Sequence, residues 1–208
     1  MRTARSHLAP AGIAAVLALT VSATTPTAAQ SATGPTAAQA AGAVRPVAAP
    51  GAATALSVQA FHASAQDRAY LRQAHRGNLA EIAAGQAALR RSHDRDVREI
   101  AWRLIRDHRK LDARLREVAR RLRVGLPDAP NAAQRDSLDA VLARRSGHRF
   151  DRAWLRLQTE AHEQTLTLIR RELRHGHSGW VRDLARDGAP VVRHHLDEVR
   201  TELDHHTR

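Results

Sequence analysis

Residues 94–123 read DRDVREIAWRLIRDHRKLDARLREVARRLR. Within that stretch Val97, Ala101, Leu104, His108, Leu111, Leu115, Val118 and Leu122 are spaced alternately by four and three residues. This is an unbroken apolar seam of the kind that packs helices side by side at a small crossing angle. One member of the seam is a histidine. Asp94 stands where a helix N-cap belongs, and Val124-Gly125-Leu126-Pro127 stops the helix after about Arg123.

The same rhythm recurs on both sides. Ser64-Ala65-Gln66-Asp67 has capping-box form and opens a helix to about Arg91. Its seam is Leu71, Ala74, Asn78, Glu81, Gly85 and Ala88, flanked by Ile82 and Leu89. Asn131 caps a short third helix to about Arg145. A fourth is predicted from an Asp151 cap to His175-Gly176, with Leu155, Thr159, His162, Leu166, Ile169 and Leu173 inward. Gly179 and Pro190 bracket a broken segment. The last helix is predicted from Pro190 to about Leu203, with Val192, Leu196, Val199 and Leu203 as its seam. Four long amphipathic helices and one short one predict an all-α protein: a ferritin-like antiparallel four-helix bundle with the extra helix in the crossover. With three Trp, one Tyr and two Phe in 208 residues, an all-β fold is excluded.

Ahead of the bundle, Arg2 and Arg5 precede an apolar run at residues 11–21. That run is shorter than the roughly 20 residues a bilayer span requires, so it reads as a signal peptide for the general secretory route. Cleavage is expected after Ala23, with Ala29 as the alternative end. Residues 24–57 are Ala, Pro, Thr, Gly and Gln with little to bury, and read as a disordered linker. The bundle is expected over 58–204, and 205–208, with His205-His206, as a frayed tail. The mature protein is expected to be secreted or held at the cell envelope, with no transmembrane span.

Each long helix brings one ionisable group inward: Glu81, His108, His162 and His195. Burying such groups among Leu and Val is costly unless they are paired. Three arrangements satisfy that condition. Imidazoles with a carboxylate suit a transition metal, whether zinc, iron, copper or manganese, with Asp112 and Glu198, one turn from His108 and His195, as additional ligands or supports. A hydrogen-bonded network, such as Glu81 with His108, would fix register and bind nothing. A histidine tipped outward would need neither. Counted from the turn between the first two helices, Glu81 and His108 differ in level by roughly 6 Å at 1.5 Å per residue, so a shared layer is not automatic.

Glu81-Ile82 with Gly85, Asp107-His108, Leu126-Pro127, Gly147 with Phe150-Asp151, His162, and Ala189-Pro190 with His195-Leu196 come in a familiar order. Across residues 60–204 the chain resembles domain of unknown function family 4142, exported helical proteins often labelled outer-membrane or secreted. The resemblance implies the bundle and export, and no established activity. Carboxylate di-iron bundles carry Glu-x-x-His motifs. The residues three before His108, His162 and His195 are Ile105, Thr159 and Val192, so ferritin-type iron oxidation is not expected.

Charge supplies a third functional class. Lys and Arg number 33 against 21 Asp and Glu. The pairs Arg90-Arg91, Arg120-Arg121, Arg144-Arg145 and Arg170-Arg171 fall at predicted helix ends, where cations complement the helix dipole. They would also meet anionic envelope polymers. No base-reading motif or aromatic platform supports sequence-specific nucleic-acid binding. No Gly-rich phosphate loop, nucleophile elbow or His-Glu-x-x-His motif is present, and the absence of cysteine excludes thiolate chemistry and disulfides. No catalytic residue is assigned.

Overall fold

The computed structural model describes residues 62–207. The expected signal segment and linker, residues 1–57, lie outside them. Five helices follow in order: α1 Ala65–Arg91, α2 Arg95–Arg121, α3 Ala132–Leu142, α4 His148–His175 and α5 Gly179–His205. Three start on side-chain caps that satisfy N–H groups left free in a first turn. Ser64 with Asp67 and Asn131 with Gln134 form reciprocal capping boxes, and Asp94 accepts from the amides of Asp96 and Val97.

Two predicted starts are corrected. α4 begins at His148, because Gly147 turns the chain at φ +82°, a conformation glycine adopts without a steric cost. Asp151 therefore lies inside the first turn, buried, rather than capping it. α5 begins at Gly179, and Pro190 sits within it. A mid-helix proline loses one hydrogen bond and crowds the preceding turn, a cost of about 3 kcal/mol. The helix continues because Val181, Ala185, Gly188, Ala189 and Val192 are buried along one face, while Pro190 is exposed.

α1 packs along α2 and α4 along α5; α1 also meets α4, and α2 meets α5. One apolar cluster joins Ala88, Val97, Phe150 and Val199; the other joins Leu71, Leu122, Ile169 and Val181. The ends of α1 and α5 thus share one pole, the upper, with the starts of α2 and α4, and the opposite ends form the lower pole. The four main pairs of long helices, α1 with α2, α4 with α5, α1 with α4 and α2 with α5, are each antiparallel, and α3 lies on the crossover against α1 and α4. No helix among the described residues is long and apolar enough to cross a membrane.

Between the two apolar clusters lies a polar layer. His75, Asn78 and Glu81 come from α1, His108 and Asp112 from α2, Gln158 and His162 from α4, and His195 from α5, all buried. At the lower pole the predicted seam of α4 is also corrected. Glu172 is fully buried and Leu173 is 37% exposed, since a 3.6-residue turn drifts from a strict 3.5 repeat. Glu172 accepts from the Gln66 amide at 3.0 Å. Its neighbour Asp67 accepts from the backbone amides of His177 and Ser178 at 3.0 and 3.1 Å, tying the start of α5 to the cap of α1. At the upper pole His206 is a buried C-cap on α5 rather than part of a frayed tail.

Candidate metal centre

The seams place His108 at the middle of α2 and His162 at the middle of α4, and His195, on the flank of the α5 seam, lies past the middle of that helix. Their ring centroids form a nearly equilateral triangle: His108 to His162 5.6 Å, His108 to His195 5.4 Å, His162 to His195 5.5 Å. All three are buried, and one nitrogen from each lies within 4.8 Å of the other two.

The second nitrogen of each ring is held from outside. His108 Nδ1 donates to Asn78 Oδ1 at 3.0 Å. His162 Nδ1 donates to the Gln158 carbonyl one turn back at 2.8 Å. His195 Nε2 donates to Asp107 Oδ2 at 3.2 Å. Each acceptor fixes its ring's proton on the outer nitrogen. The inner nitrogens, His108 Nε2, His162 Nε2 and His195 Nδ1, are buried with no hydrogen-bond partner.

The electrostatics keep the rings neutral. Burial drives the His108 pKa well below 6.5, and the neighbouring His162 and His195 push it the same way. Burial takes His162 down to about 4 against the favourable Gln158 carbonyl. Burial lowers His195 as well, offset in part by Asp107. Asp107 itself is held at about 2, first by its hydrogen bond from Arg106 and then by that from His195. It is an ionised carboxylate one ring away from the centre of the triangle.

The fourth expected inward group stands beside the triangle. Glu81 Oε1 lies 4.0 Å from His162 Nδ1, the outer nitrogen, and Oε2 has no partner. Burial pushes Glu81 up to about 8, so at neutral pH it is mostly an uncharged acid. Asn78, one turn before Glu81, is the α1 residue level with His108, which accounts for the axial mismatch read from the sequence. Asp112 pairs with His75 at 2.5 Å. Glu198 contacts Arg103 and lies 3.4 Å from His194. Both additional ligand candidates are therefore engaged away from the triangle. Sequence reading missed Asn78 as a partner of His108, Gln158 as a buried residue, and Asp107 as the partner of His195. Asp107 is adjacent to His108 on the side of α2 that turns toward α5, and that position was its signal.

A second group, Asp94, Glu202 and His206, gathers at the upper pole. His206 Nδ1 lies 3.0 Å from Glu202 Oε1, while Nε2 lies 3.8 Å from Asp94 Oδ2, beyond hydrogen-bond reach, and Asp94 is engaged as the N-cap of α2.

No curated protein and no solved structure matches the chain. A family profile does, over residues 50–201, covering the bundle from before α1 to near the end of α5. The chain belongs to the family described as Domain of unknown function (DUF4142).

Proposed function

We propose that this bundle is a metal-binding protein that holds one transition-metal ion on His108 Nε2, His162 Nε2 and His195 Nδ1. The observation that carries the reading is the convergence of three buried, unpartnered ring nitrogens whose opposite nitrogens are all hydrogen-bonded outward. Neutral imidazoles present lone pairs at those positions, and lone pairs facing one another repel unless a cation stands between them. An all-nitrogen donor set favours zinc or copper over manganese, which prefers carboxylates. Asp107 supplies a negative charge through His195, and Glu81 stands ready to supply a second.

The test is metal analysis of tag-free protein after exposure to zinc or copper(II) and dialysis. One ion per chain is expected, lost in His108→Ala and in His162→Ala, and kept in a His205→Ala/His206→Ala control. Protein that stays metal-free when challenged overturns the reading. We further propose that the chain is exported through its N-terminal segment; a mature N-terminus at Thr24 or Gln30 by mass spectrometry would support this, and an intact Met1 in envelope or medium fractions would oppose it.

A second reading concerns charge. α2 and α4 run in the same direction, so Arg120, Arg121, Arg123, Arg170, Arg171 and Arg174, all exposed, fall at one pole. That pole suits weak association with anionic envelope polymers. Retention on an anionic polymer that falls with added salt is expected; retention indifferent to salt counts against it.

A further inference from the structure

We infer that the upper pole carries a second metal site, in which His206 Nε2, Asp94 Oδ2 and a carboxylate oxygen of Glu202 hold a divalent ion such as manganese(II). The site shares no residue with the histidine triangle and stands or falls separately from it. His195 and His206 are eleven residues apart, about 16 Å along α5.

The three residues meet because α2 starts where α5 ends. Asp94 is the N-cap of α2, Glu202 lies in the last turn of α5, and His206 is its C-cap. One ligand atom from each lies within 4.8 Å of the other two. Asp94 caps with one oxygen only: Oδ1 accepts from the amides of Asp96 and Val97 at 2.9 and 3.0 Å, which leaves Oδ2 outside the cap. His206 Nδ1 donates to the Glu202 carbonyl one turn back at 3.2 Å, with Glu202 Oε1 3.0 Å from the same nitrogen. That holds the ring proton on Nδ1 and leaves a lone pair on Nε2. Opposite this lone pair stands Asp94 Oδ2, a second acceptor, at 3.8 Å. The distance is too long for a hydrogen bond. It suits two ligands of one ion, which stand about 3–4 Å apart when each is roughly 2.0–2.2 Å from the metal. The His206 side chain is only 7% exposed, and a lone pair so enclosed ordinarily has a partner.

The charges agree. In a chain with 33 Lys and Arg, neither Asp94 nor Glu202 is paired with one. Their neighbours are imidazoles: His205 Nδ1 lies 3.6 Å from Glu202 Oε2, and the His148 ring, at the start of α4, is centred 4.9 Å from that of His206. Two carboxylates balance a dication, and the C-terminal end of α5 favours a cation further. Two oxygens and one nitrogen suit manganese or zinc, in contrast to the all-nitrogen triangle. Asp94 is 36% exposed, so the ion exchanges with solvent and leaves on dialysis; the single ion expected in dialysed protein is that of the triangle.

The test is titration of the tag-free full chain with manganese(II), followed by loss of the free-ion EPR signal. One ion per chain is expected. Asp94→Ser keeps a hydroxyl for the cap amides and removes Oδ2. That variant and His206→Ala should each weaken binding at least tenfold, with helix content by circular dichroism unchanged. His162→Gln, checked the same way, should bind manganese as wild type does. A wild type that leaves the free-ion signal unchanged overturns the inference, a proton on His206 then balancing the carboxylates. Binding that Asp94→Ser and His206→Ala both retain overturns it as well and marks an adventitious ion only. Binding lost in a folded His162→Gln places the ion in the triangle instead, which supports the first site and removes this one.

Discussion

Replacing His162 with a side chain that cannot titrate should flatten the acid sensitivity of the metal-free protein. In the unfolded chain this imidazole ionises near 6.5; in the bundle, burial and the neighbouring His195 take it to about 4. Between those values the unfolded state binds the extra proton, so stability is full above pH 6.5 and declines as pH falls toward 4. The shift corresponds to about 3 kcal/mol over the whole window, of which about 2 kcal/mol is lost by pH 5. That is a large share of a typical domain's stability, about 5–15 kcal/mol. His108 moves in the same direction, so the wild-type loss should exceed the His162 share. The assay is urea denaturation in the presence of a chelator at pH 7.5, 6 and 5. His162→Gln should be less stable than wild type at pH 7.5, because Gln158 loses its donor, but its stability should change by about 2 kcal/mol less across the interval. A metal at a thousand times its dissociation constant should add about 4 kcal/mol to wild type at pH 7.5, and less as protons compete for the ring nitrogens. Parallel pH profiles for wild type and variant would show that His162 is not buried as a neutral ring, and the reasoning about the triangle would fail.

Asp107→Asn keeps the shape of the acceptor on His195 but removes its charge, and should weaken metal affinity by about 10–100-fold in chelator competition while leaving one ion bound at saturation. Glu172 is pushed up to about 7, chiefly by burial. The folded state therefore binds more protons between pH 4.5 and 7, and stability should fall as pH rises through that window. Glu172→Gln should remove about 1–2 kcal/mol of that fall, after allowance for solvent screening, measured by denaturation at pH 5 and 7. Two glycines on α1 should respond in opposite ways to alanine. A Cβ at Gly85 would stand 2.7 Å from Ile105 Cγ1 and 3.0 Å from the Ala101 carbonyl, whereas at Gly77 nothing lies within 4 Å. Gly85→Ala should cost about 1–3 kcal/mol despite its better helix propensity, and Gly77→Ala should gain close to 1 kcal/mol, both by thermal or urea unfolding.

The rhythm of α2 carried the architecture, because a long apolar seam leaves little choice in how it is buried. The seams of α2 and α4 also found His108 and His162, and the flank of the α5 seam found His195, three of the polar groups that meet. What the seams could not provide was the axial offset between helices. A sequence counts residues from a turn, and an error of one turn exchanges Glu81 for Asn78 opposite His108. Drift of the helical repeat hid Gln158 and Glu172, each one position from the residue the seam had selected. Pro190 misled for a different reason. Local propensity stops a helix there, but Ala189 and Val192 are packed against the lower cluster on both sides of it, and tertiary burial outweighs the lost bond.

The choice between a metal centre and a purely structural network turns on how many protons the layer has. Among the described residues, twelve buried side-chain atoms lack a partner, and six of them belong to Glu81, His108, Gln158, His162 and His195. Each such atom typically costs about 1–3 kcal/mol, and native interiors hold few of them. A network that fixed register would close its bonds at this level; a Glu81–His108 pair, the example such a network offered, is not formed, and one nitrogen of each ring is left without a partner instead. A water placed among them has two protons for three acceptors, so one lone pair stays bare. Protonating a ring supplies a third proton, but burial and the adjacent rings oppose this at neutral pH. A dication answers all three nitrogens at once, and the carboxylate of Asp107 lies behind one of them to offset its charge. The apolar clusters above and below provide the bulk of the packing, so the middle of the bundle can hold a layer whose polar atoms are completed only by what it binds.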